Sequence, residues 1–236
     1  MSSENNKKNK KNRKWWFRGI KCIMRLFIKK PKFTYLGESI KDGSVILSNH
    51  VGTKVPLGFE LYFNQPFRFW GAHEMNGGLI SVYKYQSKVY YHQKKHWNLF
   101  WARLFCLIAT PLTFIFYKGL NLISTYSDQR FRSTLKKSMD ALNNGESLII
   151  FPEDSSTGYH DTILGFFGGF AVLCNMCYKR GRDLPIYVTY LKKENKEFII
   201  DKPIMFSELV KDGFDKEKIA ERLCNRLNEL KDVKAD

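Results

Sequence analysis

The stretch DQRFRSTLKKSMDALNNGESLIIFPED, residues 128–154, decides the fold class. Its first part spaces apolar residues as an amphipathic helix does and closes on Asn144-Gly145, a helix stop. The apolar run that follows is too short for a second helix and passes into Pro152, so ESLIIFPED reads as a buried strand running into a loop.

A helix leading straight into a buried strand is one step of an α/β alternation, and the rest of the chain continues it. KFTYLG and SVILSN read as short strands on either side of the turn KDGS, and FRFWGA (67–72) as another, ahead of the loop HEMNGG. LNLIST, LPIYVTYL and EFIIDKP complete the strands, with helices expected near 166–180 and 215–231. The expectation is an α/β layered domain with a mostly parallel central sheet flanked by helices, plus an N-terminal amphipathic helix. Ligands of such sheets gather beyond the carboxyl ends of strands. SNH at 48–50 and FPED at 151–154 both stand there.

The chain of 236 residues, 44% of them hydrophobic, is long enough for one sizeable core. Its five cysteines form no framework spacing and no cleavable leader is visible, so free thiols and a reducing, cytoplasmic setting are expected. The net charge of +16 is unevenly placed, because residues 1–30 hold eleven of the 39 Lys and Arg against Glu4 alone. The division expected is a disordered basic tail over 1–14, an amphipathic membrane-associating helix over 15–30, and the folded domain over 31–236.

On a helix starting at Trp15, residues Trp16, Ile20, Ile23, Met24 and Phe27 share one side, and Arg18, Lys21, Arg25 and Lys29 the other. Such a helix suits a membrane surface with anionic lipids, at the cytoplasmic face, peripheral or shallowly inserted. A nucleic-acid partner is disfavoured, because the basic residues lead into no recognition motif. The alternative is a solvated lysine tail with an ordinary core-packing helix.

Residues 98–119, NLFWARLFCLIATPLTFIFYKG, are the most apolar part of the chain. The uninterrupted part is short of a spanning helix and contains Pro111, so a core helix or a membrane-dipping hairpin is expected ahead of a tilted span. His92 and His96 in HQKKH have zinc-ligand spacing but no third ligand, and no metal is expected. Cys174 and Cys177 read as two buried thiols on a helix face.

Asn49-His50 after one strand, FPE about a hundred residues later after a Gly-closed helix, then LPIYV, together resemble the glycerolipid acyltransferases, the lysophosphatidic-acid acyltransferase type. WGAHEM and IIDKPI fall where that family has related segments, so the resemblance spans roughly residues 15 to 205. It implies that His50 is the general base that takes the proton of an acceptor hydroxyl, so that the oxygen attacks an acyl thioester. It places Phe151, Pro152 and Glu153 at the start of the third motif, Gly119 near the second and Pro185 near the fourth. No resident cofactor or metal is implied; acyl-CoA or acyl carrier protein enters as co-substrate, and a lipid-like hydroxyl is the acceptor.

The departures from the family pattern narrow the reading. The Asp that supports the histidine is replaced by Val55, and in well-studied triads loss of that carboxylate lowers activity by about 10⁴. Glu60, Glu74, Glu153, Asp154 and Asp161 are the carboxylates that could stand in. The third motif's Gly-Thr-Arg is Asp154, Ser155 and Ser156, and the nearest arginine to the second motif is Arg130, so the expected phosphate clamp is missing. That leaves a neutral or amine-bearing acceptor, or a headgroup held by Lys54, which could equally keep His50 neutral.

The residues expected to act are therefore His50 and Glu153 in catalysis, and Asn49, Lys54, Phe151, Pro152, Asp154, Ser155 and Ser156 in binding substrate. An enzyme that moves a fatty acyl group from a thioester to a glycerolipid-like or other hydroxyl is one outcome. A catalytically inactive relative that binds lipid in the same groove is the other.

Overall fold

A computed structural model describes residues 13–154 and 160–233. Residues 1–12 of the basic tail expected over 1–14, and the calls on Ser155 and Ser156, lie outside them; Arg13, expected in that tail, is instead buried and paired with Glu60. Eight strands form one sheet in the order β1-β7-β6-β2-β5-β3-β4, with β8 on β6. The strands are β1 (Lys32–Tyr35), β2 (Val45–Ser48), β3 (Phe67–Ala72), β4 (Ile123–Thr125), β5 (Ser147–Ile150), β6 (Pro185–Lys192), β7 (Glu197–Ile200) and β8 (Ile204–Met205). From β6 through β4 neighbouring strands run parallel; β7 and β8 are antiparallel to β6.

The two faces of the sheet carry separate cores, as strand alternation requires. Val45, Leu47, Leu148, Ile150 and Val188 pack against α5 (Phe131–Asn143), α6 (Gly169–Tyr178) and α7 (Lys216–Glu229). Ile46, Ile149, Tyr187 and Phe198 pack against α1 (Trp15–Phe27) and α2 (Lys54–Tyr62). The opening stretch folds as read: α5 ends at Asn143, Gly145 takes the left-handed conformation (φ 76°), and β5 is buried along its whole length. Cys174 and Cys177 are buried free thiols on α6.

α1 differs from its sequence reading. Trp16, Phe17 and Ile20 pack on the core, but Lys21, expected on the headgroup side, turns inward and donates to Glu60 Oε1 at 2.8 Å. Arg25 donates from Nε to the Leu61 carbonyl at 2.9 Å. The cause is Glu60, a carboxylate buried on α2 that has to be paired, and Arg13 Nη2 holds its other oxygen at 2.8 Å. Trp15, Ile23, Leu26 and Phe27 are left pointing outward.

Residues 98–119 are neither a core helix nor a hairpin. They form α4 (Leu99–Leu120), one unbroken helix whose Trp101, Leu104, Leu107, Ile108, Leu112 and Ile115 are exposed, Ile108 at 79%. Pro111 can give no N–H to Leu107, yet it lies on the exposed side, and Thr113 ties back through its hydroxyl to Ala109 O (3.0 Å) and Thr110 O (3.1 Å). By length and composition alone α4 is the one helix among the described residues that could cross a membrane. Its inner side packs on α3 (Leu79–Lys84) and on a π-helical segment, Tyr85–Lys94, with Gln86 accepting from Thr110 at 2.9 Å. At its far end Gly119 meets α1: a Cβ there would stand 2.0 Å from the Phe17 ring, so the two helices touch only because the side chain is absent.

Candidate functional site

β2 lies between β5 and β6, with Leu47 opposite Ile150 and Ser48 opposite Thr189. Three parallel strands thus deliver Asn49-His50, Phe151-Pro152-Glu153 and Thr189–Leu191 to one end of the sheet. Asn49 fixes this end: its Oδ1 accepts from Leu191 N at 2.8 Å and its Nδ2 donates to Leu191 O at 3.3 Å. Its amide is committed to backbone, so Asn49 positions the site rather than meeting a substrate. The chain then turns away through Gly52, whose φ of 55° favours glycine, and a Cβ there would lie 3.5 Å from Lys95 Nζ and 3.6 Å from the Tyr90 hydroxyl. The π-helical segment therefore forms a wall over the His50 loop, consistent with the frequent use of such turns at functional sites.

The His50 ring meets Phe151 edge-on with centroids 4.7 Å apart, and Phe151 stacks on Phe69 at 5.9 Å. Nδ1 is shut off from solvent. Burial, then the positive charges of Lys94 and Lys95, hold the imidazole pKa down at about 3. His50 is therefore neutral at physiological pH. The sequence reading offered Lys54 for that influence, as an alternative to a headgroup contact; in the structure it comes from Lys94 and Lys95, some forty residues further on.

Glu153 is the carboxylate brought to the backbone of His50. Burial raises its pKa to about 7, against the pull of the nearby His50 backbone N–H and the charges of Lys94 and Lys193. Both of its oxygens are buried, with no hydrogen-bond partner among the described residues. Ser48 and Thr189, opposite each other on β2 and β6, add two hydroxyls that are likewise buried and unpartnered among the described residues. Sequence reasoning missed this pair, because a Ser or Thr within an apolar strand carries no signal until its strand neighbour is known. A buried carboxyl titrating near neutrality, close to the backbone of a residue whose imidazole is neutral, is an arrangement found where protons are moved.

The other sequence calls fall elsewhere. Glu60 is held by Arg13 and Lys21, Asp161 by Lys193, and Glu74 lies 3.2 Å from His73 Nδ1, so each has another partner. Val55 is fully buried in the core, where an unpaired carboxylate would be costly. Pro152 is buried and its carbonyl accepts from Phe167 N at 2.8 Å; Asp154 is exposed beside it. Lys54 is exposed on the first turn of α2. Gly119 serves the α1–α4 contact, and Arg130 pairs with Asp128 at 2.7 Å on the surface. His92 Nδ1 lies 2.8 Å from Trp97 O, and no group of three metal-ligating side chains gathers among the described residues.

No protein-family model matches this chain, and no curated protein matches it. The fold itself is that of a mixed α/β protein with a mostly parallel, eight-stranded sheet.

Proposed function

We propose that this protein is a membrane-associated acyltransferase of glycerolipid-acyltransferase-like fold, moving a fatty acyl group from an acyl thioester to a lipid-like hydroxyl with His50 as general base. The observation that carries the reading is the convergence of His50 with Phe151 and Glu153 at the carboxyl ends of adjacent parallel strands. Neutral His50 accepts the acceptor's hydroxyl proton at Nε2 while that oxygen bonds to the thioester carbonyl carbon. The C–S bond then breaks, and the departing thiolate takes the proton from the imidazolium. Glu153, once ionised, offsets the penalty on that imidazolium through its charge alone, without the hydrogen bond that the missing Asp would make. No acyl-enzyme is needed. Lys94 and Lys95 supply positive charge that the family draws from arginines, which again admits an acceptor with an anionic headgroup.

The membrane part of the reading rests on α4 and α1. Their outward apolar side chains, flanked by Trp97, Trp101, Arg18 and Arg25, suit an interface in which rings sit at headgroup depth and aliphatic side chains below it. A second reading, a catalytically silent lipid binder, is favoured by the low His50 pKa, since an imidazole near 3 is a weak base. The two part on one experiment. Protein in vesicles is given a labelled acyl thioester and a panel of lysolipids and neutral alcohols; transfer to at least one acceptor is expected, and lipid binding with no transfer to any would overturn the enzyme.

A further inference from the structure

Ser48 and Thr189 are the last pair in register between β2 and β6. Both are fully buried, and neither hydroxyl has a hydrogen-bond partner among the described residues. Side chains alternate along a strand, so Ser48 faces the same side as Ile46, and Thr189 the same side as Tyr187, toward the core packed by α1 and α2. That layer gives them no answer: Ile46, Val55, Phe59 and Ile200 are apolar, and the Tyr187 hydroxyl is taken by Lys41 N at 3.2 Å. Ile200 is also the residue paired with Thr189 on its other side.

We propose that one buried water bridges Ser48 Oγ and Thr189 Oγ1, and that through it the two hydroxyls are positioning residues for His50. Buried polar groups in folded proteins are nearly always paired, with protein or with ordered water. Neighbouring strands lie about 4.8 Å apart, so two hydroxyls facing the same way from paired residues offer one water two partners, each able to donate or accept. A neutral pair gives an ion no countercharge, and full burial leaves a molecule the size of water. The place of the pair gives it its role. One residue further along the same strands, the Asn49 amide ties to both the N–H and the carbonyl of Leu191, and His50 follows at once. A water-mediated tie at Ser48 and Thr189 succeeded by a direct tie at Asn49 and Leu191 fixes both the position and the twist of the strand end; either tie alone leaves a pivot. The water stands independently of the acyl-transfer reading, while the positioning role rests on that reading and deepens it.

The test compares the full chain in detergent with Thr189→Val, which keeps the shape and drops the hydroxyl, with Thr189→Ser, with Ser48→Ala, and with the double variant Ser48→Ala/Thr189→Val. Oxygen-17 relaxation dispersion counts long-lived internal waters, and Thr189→Val is expected to lose one that Thr189→Ser keeps. Thr189→Val and Ser48→Ala should each lower Tm by roughly 2–4 °C. The double variant should lose little more than either alone, because the two hydroxyls share one partner. Hydroxyls without a water predict the opposite sign: removing an unanswered buried hydroxyl raises Tm, and two such gains add. In Thr189→Val the ring-nitrogen resonances of His50 should shift and kcat for transfer should fall roughly tenfold with KM unchanged, both restored in Thr189→Ser. A rise in Tm with an unaltered water count would overturn the water. A lost water with the His50 resonances unmoved would overturn the positioning role. A chain that transfers nothing sinks the acyl-transfer reading alone, and the water count, Tm and His50 resonances still decide the proposal.

Discussion

The imidazole of His50 meets the ring of Phe151 edge-on at 4.7 Å, and that contact joins the loop after β2 to the loop after β5. Phe151 is itself stacked on Phe69, so the histidine is braced by the sheet rather than by a carboxylate on the following helix. Phe151→Ala should leave the fold intact but let the ring wander. The expected outcome is a fall in kcat on the order of 10²-fold with KM little changed, measured by steady-state transfer kinetics. An unchanged kcat would show that the brace is irrelevant.

His50 and Glu153 should imprint opposite slopes on stability. The folded-state pKa of Glu153 is raised, so its contribution is fully present below about 4.5 and is lost as pH climbs through about 7. The folded-state pKa of His50 is lowered, so stability is lost as pH falls from about 6.5 toward 3. Between about 4.5 and 6.5 the two slopes oppose each other. Glu153→Gln should therefore make Tm rise with pH across that window, and His50→Gln should make it fall. Each slope is worth on the order of 3 kcal/mol as an upper bound. Parallel Tm profiles for both variants would contradict the assignment.

The same carboxyl should govern activity. With His50 neutral throughout, kcat/KM should rise with pH through an apparent pKa near 7, as Glu153 ionises, and Glu153→Gln should abolish that rise. A profile that keeps its inflection in the Gln variant would assign it to another group.

Glu60 answers both Arg13 and Lys21 and so docks α1 onto α2. Glu60→Ala leaves two cations without their carboxylate, one of them fully buried. Urea unfolding should report a loss of about 3–5 kcal/mol. A loss below about 1 kcal/mol would mean that α1 is held by Phe17 and Gly119 instead.

α4 should hold the protein to lipid. Leu107→Glu/Ile108→Glu, on its most exposed side, removes two side chains each worth about 1.5–3 kcal/mol of apolar transfer. Flotation with anionic vesicles should fall by well over tenfold at unchanged Tm. If only removal of residues 1–12 weakens flotation, the basic tail alone is the anchor.

Much of the sheet was legible because its strands are short apolar runs bounded by turns, and the helix ending at Asn144-Gly145 carried both periodicity and a stop. The surroundings of His50 were not. Lys94 and Lys95 reach it through a π-helical turn, a geometry with no periodic signature, and the sequence offered Lys54 because it was near in the chain. Lys21 was misplaced for a related reason: amphipathic spacing sees a cation as outward-facing and cannot know that Glu60 waits underneath. Pro111 reads as a kink, although on the exposed side of a helix its lost hydrogen bond falls where the wall of the fold does not need it.

The central claim is that Nε2 of His50 accepts the acceptor's proton. Its most direct measurement is the single-turnover rate of labelled acyl transfer, with donor and acceptor saturating, in the unaltered chain and in His50→Ala of matched Tm. The account predicts a loss of about 10²–10⁴-fold with donor affinity unchanged. Transfer at an undiminished rate in His50→Ala would contradict it.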